Sequence, residues 1–165
     1  MYPLTKNLYV YGEGCCGNYH FIDNLMNQLS VKYAENYTKI ITINCAEGAS
    51  LDNDLKALYD EILYKLQNEM IIETTVFSKS VEDFFLKLHD ILIKKYDSVY
   101  IIFDSFEKLN HIPLSNLCVL ANLSQYINLM HCKTNLITIF VSNVCPNKMF
   151  GDYTNLEVSF SVNKF

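Results

Sequence analysis

The sequence predicts an α/β domain in which a parallel sheet of five strands carries helices on both faces, a three-layer α-β-α sandwich. Three observations predict it. Ser98 to Asp104 (SVYIIFD) and Leu136 to Asn143 (LITIFVSN) are continuous apolar runs, the pattern of strands buried on both faces. Stretches of helical period separate them from other β-prone runs, giving the order β-α-β-α-α-β-α-β, a short turn, and β. A glycine-bearing loop joins the first strand to the first helix.

The elements follow in order. Leu8 to Tyr11 is a β-prone run that ends at Gly12. From Tyr19 to about Tyr33, Phe21, Ile22, Leu25, Met26 and Leu29 recur at helical spacing. Lys39 to Asn44 (KIITIN) is the second strand. Ser50 or Asp52 is expected to cap a helix reaching to about Met70, with Leu55, Leu58, Tyr59, Ile62, Leu63 and Leu66 on one face. Ser80, followed three residues later by Asp83, opens a helix that ends near Lys95, where lysines suit the negative end of the helix dipole. Pro113 fits the first turn of a helix continuing to about Met130. Leu156 to Val162 is a last, alternating strand. No internal repeat or second domain interrupts residues 1–165, so one domain is expected. Ligands of such sheets bind at the carboxyl ends of the strands, where Gly12, Asn44, Asp104 and Asn143 fall.

Composition narrows the function. The chain has 165 residues, half of them apolar, and a formal net charge of −5. An acidic chain is a poor binder of nucleic acid by itself, because that binding rests on cations neutralising phosphates. All 13 basic residues are Lys. The chain therefore supplies no arginine finger and no bidentate guanidinium clamp for a phosphate. None of its six cysteines forms a C-x-x-C pair. They are expected to be buried free thiols, and His131 beside Cys132 has no partner pair at metal-ligand spacing. No secretory signal is present, and no apolar run reaches the roughly 18 residues that span a bilayer. A soluble intracellular protein with no membrane partner is expected.

The motif that would carry chemistry is Gly12-Glu13-Gly14-Cys15-Cys16-Gly17-Asn18-Tyr19. A phosphate-binding P-loop, or Walker A motif, has Gly, four residues, Gly, Lys, then Ser or Thr. Gly12 and Gly17 keep the spacing, and Gly14 adds freedom between them. Backbone N–H groups and the helix N-terminus would still favour an anion. Asn18, however, stands where Lys would reach the phosphates, and Tyr19 where a small hydroxyl would hold Mg²⁺. Glu13 adds a negative charge to the loop. The strand from Val99 to Asp104 has the form of a Walker B strand, whose terminal Asp holds Mg²⁺ through water. Asp104 would otherwise cap the following turn. Asn143 is either a turn residue at a strand end or a polar group reaching a phosphate from the neighbouring strand.

These segments, in this order, resemble the AAA+ domain of the origin recognition complex, most nearly its subunit 5, with subunit 4 the nearest competitor. The resemblance covers Leu8 to Gly17, Ile43 to Glu47 with the helix after it, Val99 to Leu109 (VYIIFDSFEKL), and Phe140 to Asn143 with Lys148 to Phe150. It implies the base domain of a P-loop NTPase, with Gly12, Gly14, Gly17, Asn18, Tyr19, Asp104 and Asn143 forming a vestigial nucleotide site. The departures imply that the site does no catalysis. Ser105 stands where AAA+ ATPases place the Glu that activates water, and Glu107, two residues on, is expected to face elsewhere. No cofactor is expected, with ATP and Mg²⁺ bound weakly at most. The chain stops at the fifth strand, so the helical lid of the family is expected to be absent. The resemblance implies a non-catalytic subunit in the nucleus. Its partners would be other origin recognition subunits, and it would touch DNA through the complex. The alternatives are a pseudo-ATPase scaffold outside replication or a P-loop NTP-binding enzyme of another class. Tyr33 and Tyr37 are candidate contact residues.

Overall fold

Five strands line up in the order β2-β3-β4-β1-β5, all neighbours parallel. They are β1 (Asn7–Tyr11), β2 (Thr38–Asn44), β3 (Ser98–Asp104), β4 (Asn135–Ser142) and β5 (Ser161–Lys164). The structure is a computed structural model and describes residues 7–12, 18–32, 37–48, 55–67, 78–151 and 161–164. The helices are α1 (Asn18–Lys32), α2 (Cys45–Gly48), α3 (Lys56–Gln67), α4 (Val81–Lys95), α5 (Leu114–Ala121), α6 (Leu123–Leu129) and α7 (Pro146–Phe150). A 3-10 turn, Phe106–Leu109, follows β3.

Connection handedness explains the layers. The step from β1 to β2 runs to the far edge of the sheet, and every later step runs back the other way. Right-handed crossovers therefore put α1 on one face and the later helices on the other. The two apolar clusters agree. Val10, Ile102, Ile139 and Val141 pack under Ile22, Leu25 and Met26 of α1. Tyr9, Ile41, Ile43, Val99, Ile101, Phe103, Leu136 and Phe140 point the opposite way, into the larger core with α3 to α7. The strict alternation is the period of two of a pleated strand. It places Asp104, in step with Tyr100 and Ile102, on the α1 face.

The register builds the core. Ile43 pairs with Phe103, Phe103 with Phe140, and Phe140 with Tyr9, one row across four strands. Phe103 and Phe140 stack at 5.1 Å, and Phe106 meets Phe140 edge-on at 4.9 Å. The adjacent row carries a buried polar knot. Asn7 donates to the Ala121 carbonyl at 2.7 Å, and its own amide oxygen accepts from Ser124 Oγ and Thr138 Oγ1. The six apolar residues expected on one face of α3 are all buried or at its start. Ser80 caps α4, accepting the Asp83 N–H at 3.2 Å, while Asp83 accepts the Lys79 N–H at 2.8 Å.

Some boundaries differ from expectation. The helix expected from Pro113 to Met130 breaks at Asn122 into α5 and α6. The short turn after β4 contains α7, and the strand expected over 156–162 is seen at Ser161–Lys164. Residues 156–160, the caps proposed at Ser50 and Asp52, and Tyr33 lie outside the described residues. β4 ends one residue early, leaving Asn143 in the bend beyond it.

His131, considered beside Cys132 for a metal, has a local backbone role. It ends α6 with φ of 56°, while the Cys132 N–H donates to the Ile127 carbonyl and the His131 N–H to that of Asn128. This is a Schellman stop, whose left-handed position favours glycine. His131→Gly is expected to raise the unfolding free energy by about 1 kcal/mol in a urea titration, since a side chain in this conformation costs about that much. No group of three or more metal-ligating side chains occurs among the described residues. No described helix is long and apolar enough to cross a membrane.

Candidate functional site

β1 and β4 are neighbours whose continuations leave for opposite faces: β1 feeds α1, and β4 feeds α7. This is the topological switch point, and the crevice beyond its strand ends is the expected ligand position. The Gly12 N–H donates to the Ser142 carbonyl at 3.3 Å, extending the β1–β4 pairing by one residue. Gly12 thus holds the start of the loop against β4. Gly14 and Gly17 lie outside the described residues, as does Glu13. Asn18 opens α1 and Tyr19 follows in its first turn. The strand and the helix that flank the motif are described, β1 before it and α1 after it, and the first turn of α1 holds no acidic residue.

Asp104 closes β3 and lines a pocket beneath α1 with Ile22, Asp23, Met26, Thr42, Ile102 and Val141. The pocket holds about 100 Å³. Sites for drug-sized ligands measure roughly 300–1,000 Å³. Among the described residues, its two ionisable linings are both carboxylates, of Asp23 and Asp104, and no Lys lines it. Asp23 was not singled out by sequence reasoning. The available signal was its place beside Ile22 and three residues before Met26, at the exposed edge of the face of α1 that packs on the sheet. Asp104 is the one described side chain of the predicted set that could approach a cation here, and Ser105 Oγ donates to its Oδ1 at 3.4 Å.

Asn143 and Glu107 meet at the end of β4. Glu107 is absent from the lining of the Asp104 pocket and reaches across to Asn143 in the bend beyond β4. Its Oε2 accepts the Asn143 backbone N–H at 3.1 Å, and its Oε1 accepts Asn143 Nδ2 at 3.2 Å. The cause is the turn after β3. Ser105 takes a left-handed conformation (φ 56°, ψ 43°), which swings the chain out of the strand direction. Phe106 and Leu109 then bury completely, leaving Glu107 on the β4 side. The carboxylates leave their mark on the interior. Burial raises the Cys45 thiol well above its ordinary range, and the nearby Asp104, Glu61 and Glu107 charges raise it further. Burial likewise raises the Tyr9 hydroxyl, against a bond to Ser142 that lowers it and the Glu107 charge that raises it. The Tyr9 hydroxyl donates to the Val144 carbonyl at 3.2 Å, tying the core to the bend beyond β4. Asn44, at the end of β2, accepts the Ala46 N–H at 3.0 Å and so starts α2.

No family model matches the chain, and no curated protein matches it. Solved structures do. A structure of Drosophila ORC bound to DNA is 15% identical with a TM-score of 0.69, covering 96% of this chain and 37% of that one. The ORC2 protein of Aeropyrum pernix, in ADPNP-ADP complexes, is 13% identical with a TM-score of 0.72, covering 98% and 42%. A Walker-type ATPase of Pyrococcus abyssi is 16% identical with a TM-score of 0.61, covering 96% and 49%. The fold is that of an AAA+ P-loop NTPase base, with origin recognition proteins among its structural neighbours. The chain spans less than half the length of each of these three.

Proposed function

We propose that the chain is a non-catalytic AAA+ subunit of an origin recognition complex, contributing to the assembly of that complex at replication origins. The observation that carries the non-catalytic reading is the charge of the strand-end pocket. Phosphoryl chemistry is mostly electrostatic and needs cations around the transferring group. Among the described residues, Asp23 and Asp104 line the pocket without a Lys, while Asn18 and Tyr19 replace the Walker A Lys and Ser or Thr. No cofactor has a working role on this reading, and ATP with Mg²⁺ binds weakly at most. The structural likeness to origin recognition proteins supports the replication half of the reading, and with it a nuclear location.

The work of such a subunit is contact with its neighbours. Leu86 and Ile93 of α4 and Tyr126 and Leu129 of α6 are exposed, and the Phe85 and Tyr126 rings meet at 5.2 Å between the two helices. Tyr37 is 75% exposed. Exposed apolar surface of this kind supports a protein partner. The net charge of −5 favours reaching DNA through more basic neighbours. The test is to tag the protein in its native cells, purify it gently and identify what accompanies it. Recovery of other origin recognition subunits is expected. A soluble, folded sample that brings none of them would remove the replication reading and leave a pseudo-ATPase scaffold outside replication.

A further inference from the structure

The bond pair between Glu107 and Asn143 has a chemistry of its own. Asn143 lies one residue beyond β4, and both contacts run the same way. Asn143 donates its backbone N–H and its side-chain Nδ2–H, and the two oxygens of one carboxylate accept them at 3.1 and 3.2 Å. A carboxylate is suited to this because it accepts at both oxygens, and bonds to an ionised acceptor are stronger than neutral ones. The geometry is built rather than incidental. Ser105 turns the chain out of β3, Phe106 packs on Phe140 at 4.9 Å, and Leu109 is fully buried. Glu107 is held between these two anchors, beside the residue at which β4 leaves the sheet.

We propose that Glu107 is an internal anionic ligand for Asn143. Its two oxygens take up the donors that Asn143 would otherwise offer to an anion in the strand-end crevice. The ends of β3 and β4 are then held in one arrangement whether or not nucleotide is present. An anion entering there must displace a carboxylate already bonded, against its charge. Glu107 is thus a positioning residue. The inference rests on the non-catalytic reading and deepens it: the crevice end of the sheet keeps its shape without a phosphate to organise it.

Amide hydrogen exchange, resolved at Asn143, tests this on the intact chain in three proteins: the wild type, Glu107→Gln and Glu107→Ala. Gln keeps the size but offers one acceptor oxygen in place of two. Exchange at the Asn143 N–H is expected to quicken by about tenfold or more in Glu107→Ala, because a local bond to a charged acceptor is lost. A smaller gain is expected in Glu107→Gln, with the ladder amides of β3 and β4 unchanged in both. Unchanged exchange at Asn143 in both variants would overturn the proposal. So would an acceleration shared equally by the ladder amides, which marks a general loss of stability. A change at Asn143 when millimolar Mg-ATP is added to the wild type would also overturn it. Co-purification of partners depends on none of these readouts, so the assembly reading and the Glu107 proposal can fail separately.

Discussion

Phe140→Ala is expected to lower the unfolding free energy by about 3–5 kcal/mol, the range for truncating a buried Phe where the core cannot collapse. Phe140 is fully buried on β4, between β3 and β1. It stacks on Phe103 at 5.1 Å with planes 9° apart, lies 6.3 Å from Tyr9, and receives the edge of Phe106 at 4.9 Å. Three of these rings sit on paired strands, so the space left by the ring is walled by backbone held in register. Single domains are stable by roughly 5–15 kcal/mol, so this loss is a large share of the total. Urea unfolding followed by circular dichroism measures it. Leu129→Ala is the control: Leu129 is 74% exposed, and surface changes usually stay within about 0.5 kcal/mol. Equal effects of the two substitutions would contradict the register that places Phe140 in the core.

Asn18→Lys combined with Tyr19→Ser is expected to tighten Mg-ATP binding by roughly 10- to 100-fold over the wild type. A hydrogen bond to a charged group contributes about 1.5–3 kcal/mol, and each 1.4 kcal/mol is a factor of ten. Gly12, bonded to Ser142, follows β1, and Asn18 opens α1, so the motif lies between a strand and a helix. The restored Lys would reach the phosphates, and the restored Ser would ligand Mg²⁺ opposite Asp104. Part of the gain should therefore vanish when Mg²⁺ is removed with a chelator. Turnover is not expected to return, because Ser105 still stands in place of the Glu that activates water, and the chain contains no Arg. A double variant that binds no better than the wild type would mean that the loop does not take the P-loop form.

Much of the sheet was legible in the sequence because buried parallel strands leave a local record. The runs ending at Asp104 and beside Asn143 are mostly apolar, with Thr138 the one polar residue inside them, and the structure places both on inner strands. The α4 cap was legible for the same reason, since Ser80 and Asp83 act within one turn. The break at Asn122 was not. The apolar period runs on through it, and its packing involves a residue far off in the chain: Asn7 takes the Ala121 carbonyl from 114 positions away. In the candidate site, Gly12, Asp104 and Asn143 fall at strand ends as read. The partner of Asn143 was hidden, because the direction of Glu107 depends on the left-handed turn at Ser105, and nothing in the residue type Ser announces that conformation. Its only sequence signal is an acid three residues after Asp104.

We propose that this AAA+ base does no catalytic work at its nucleotide site. Titration of the purified wild-type protein with ATP and Mg²⁺, with phosphate release followed in the same sample, tests it most directly. The account predicts no saturation below about millimolar nucleotide, a binding free energy weaker than about 4 kcal/mol, and no release of phosphate above background. Saturable binding at micromolar ATP, or steady turnover, would contradict it.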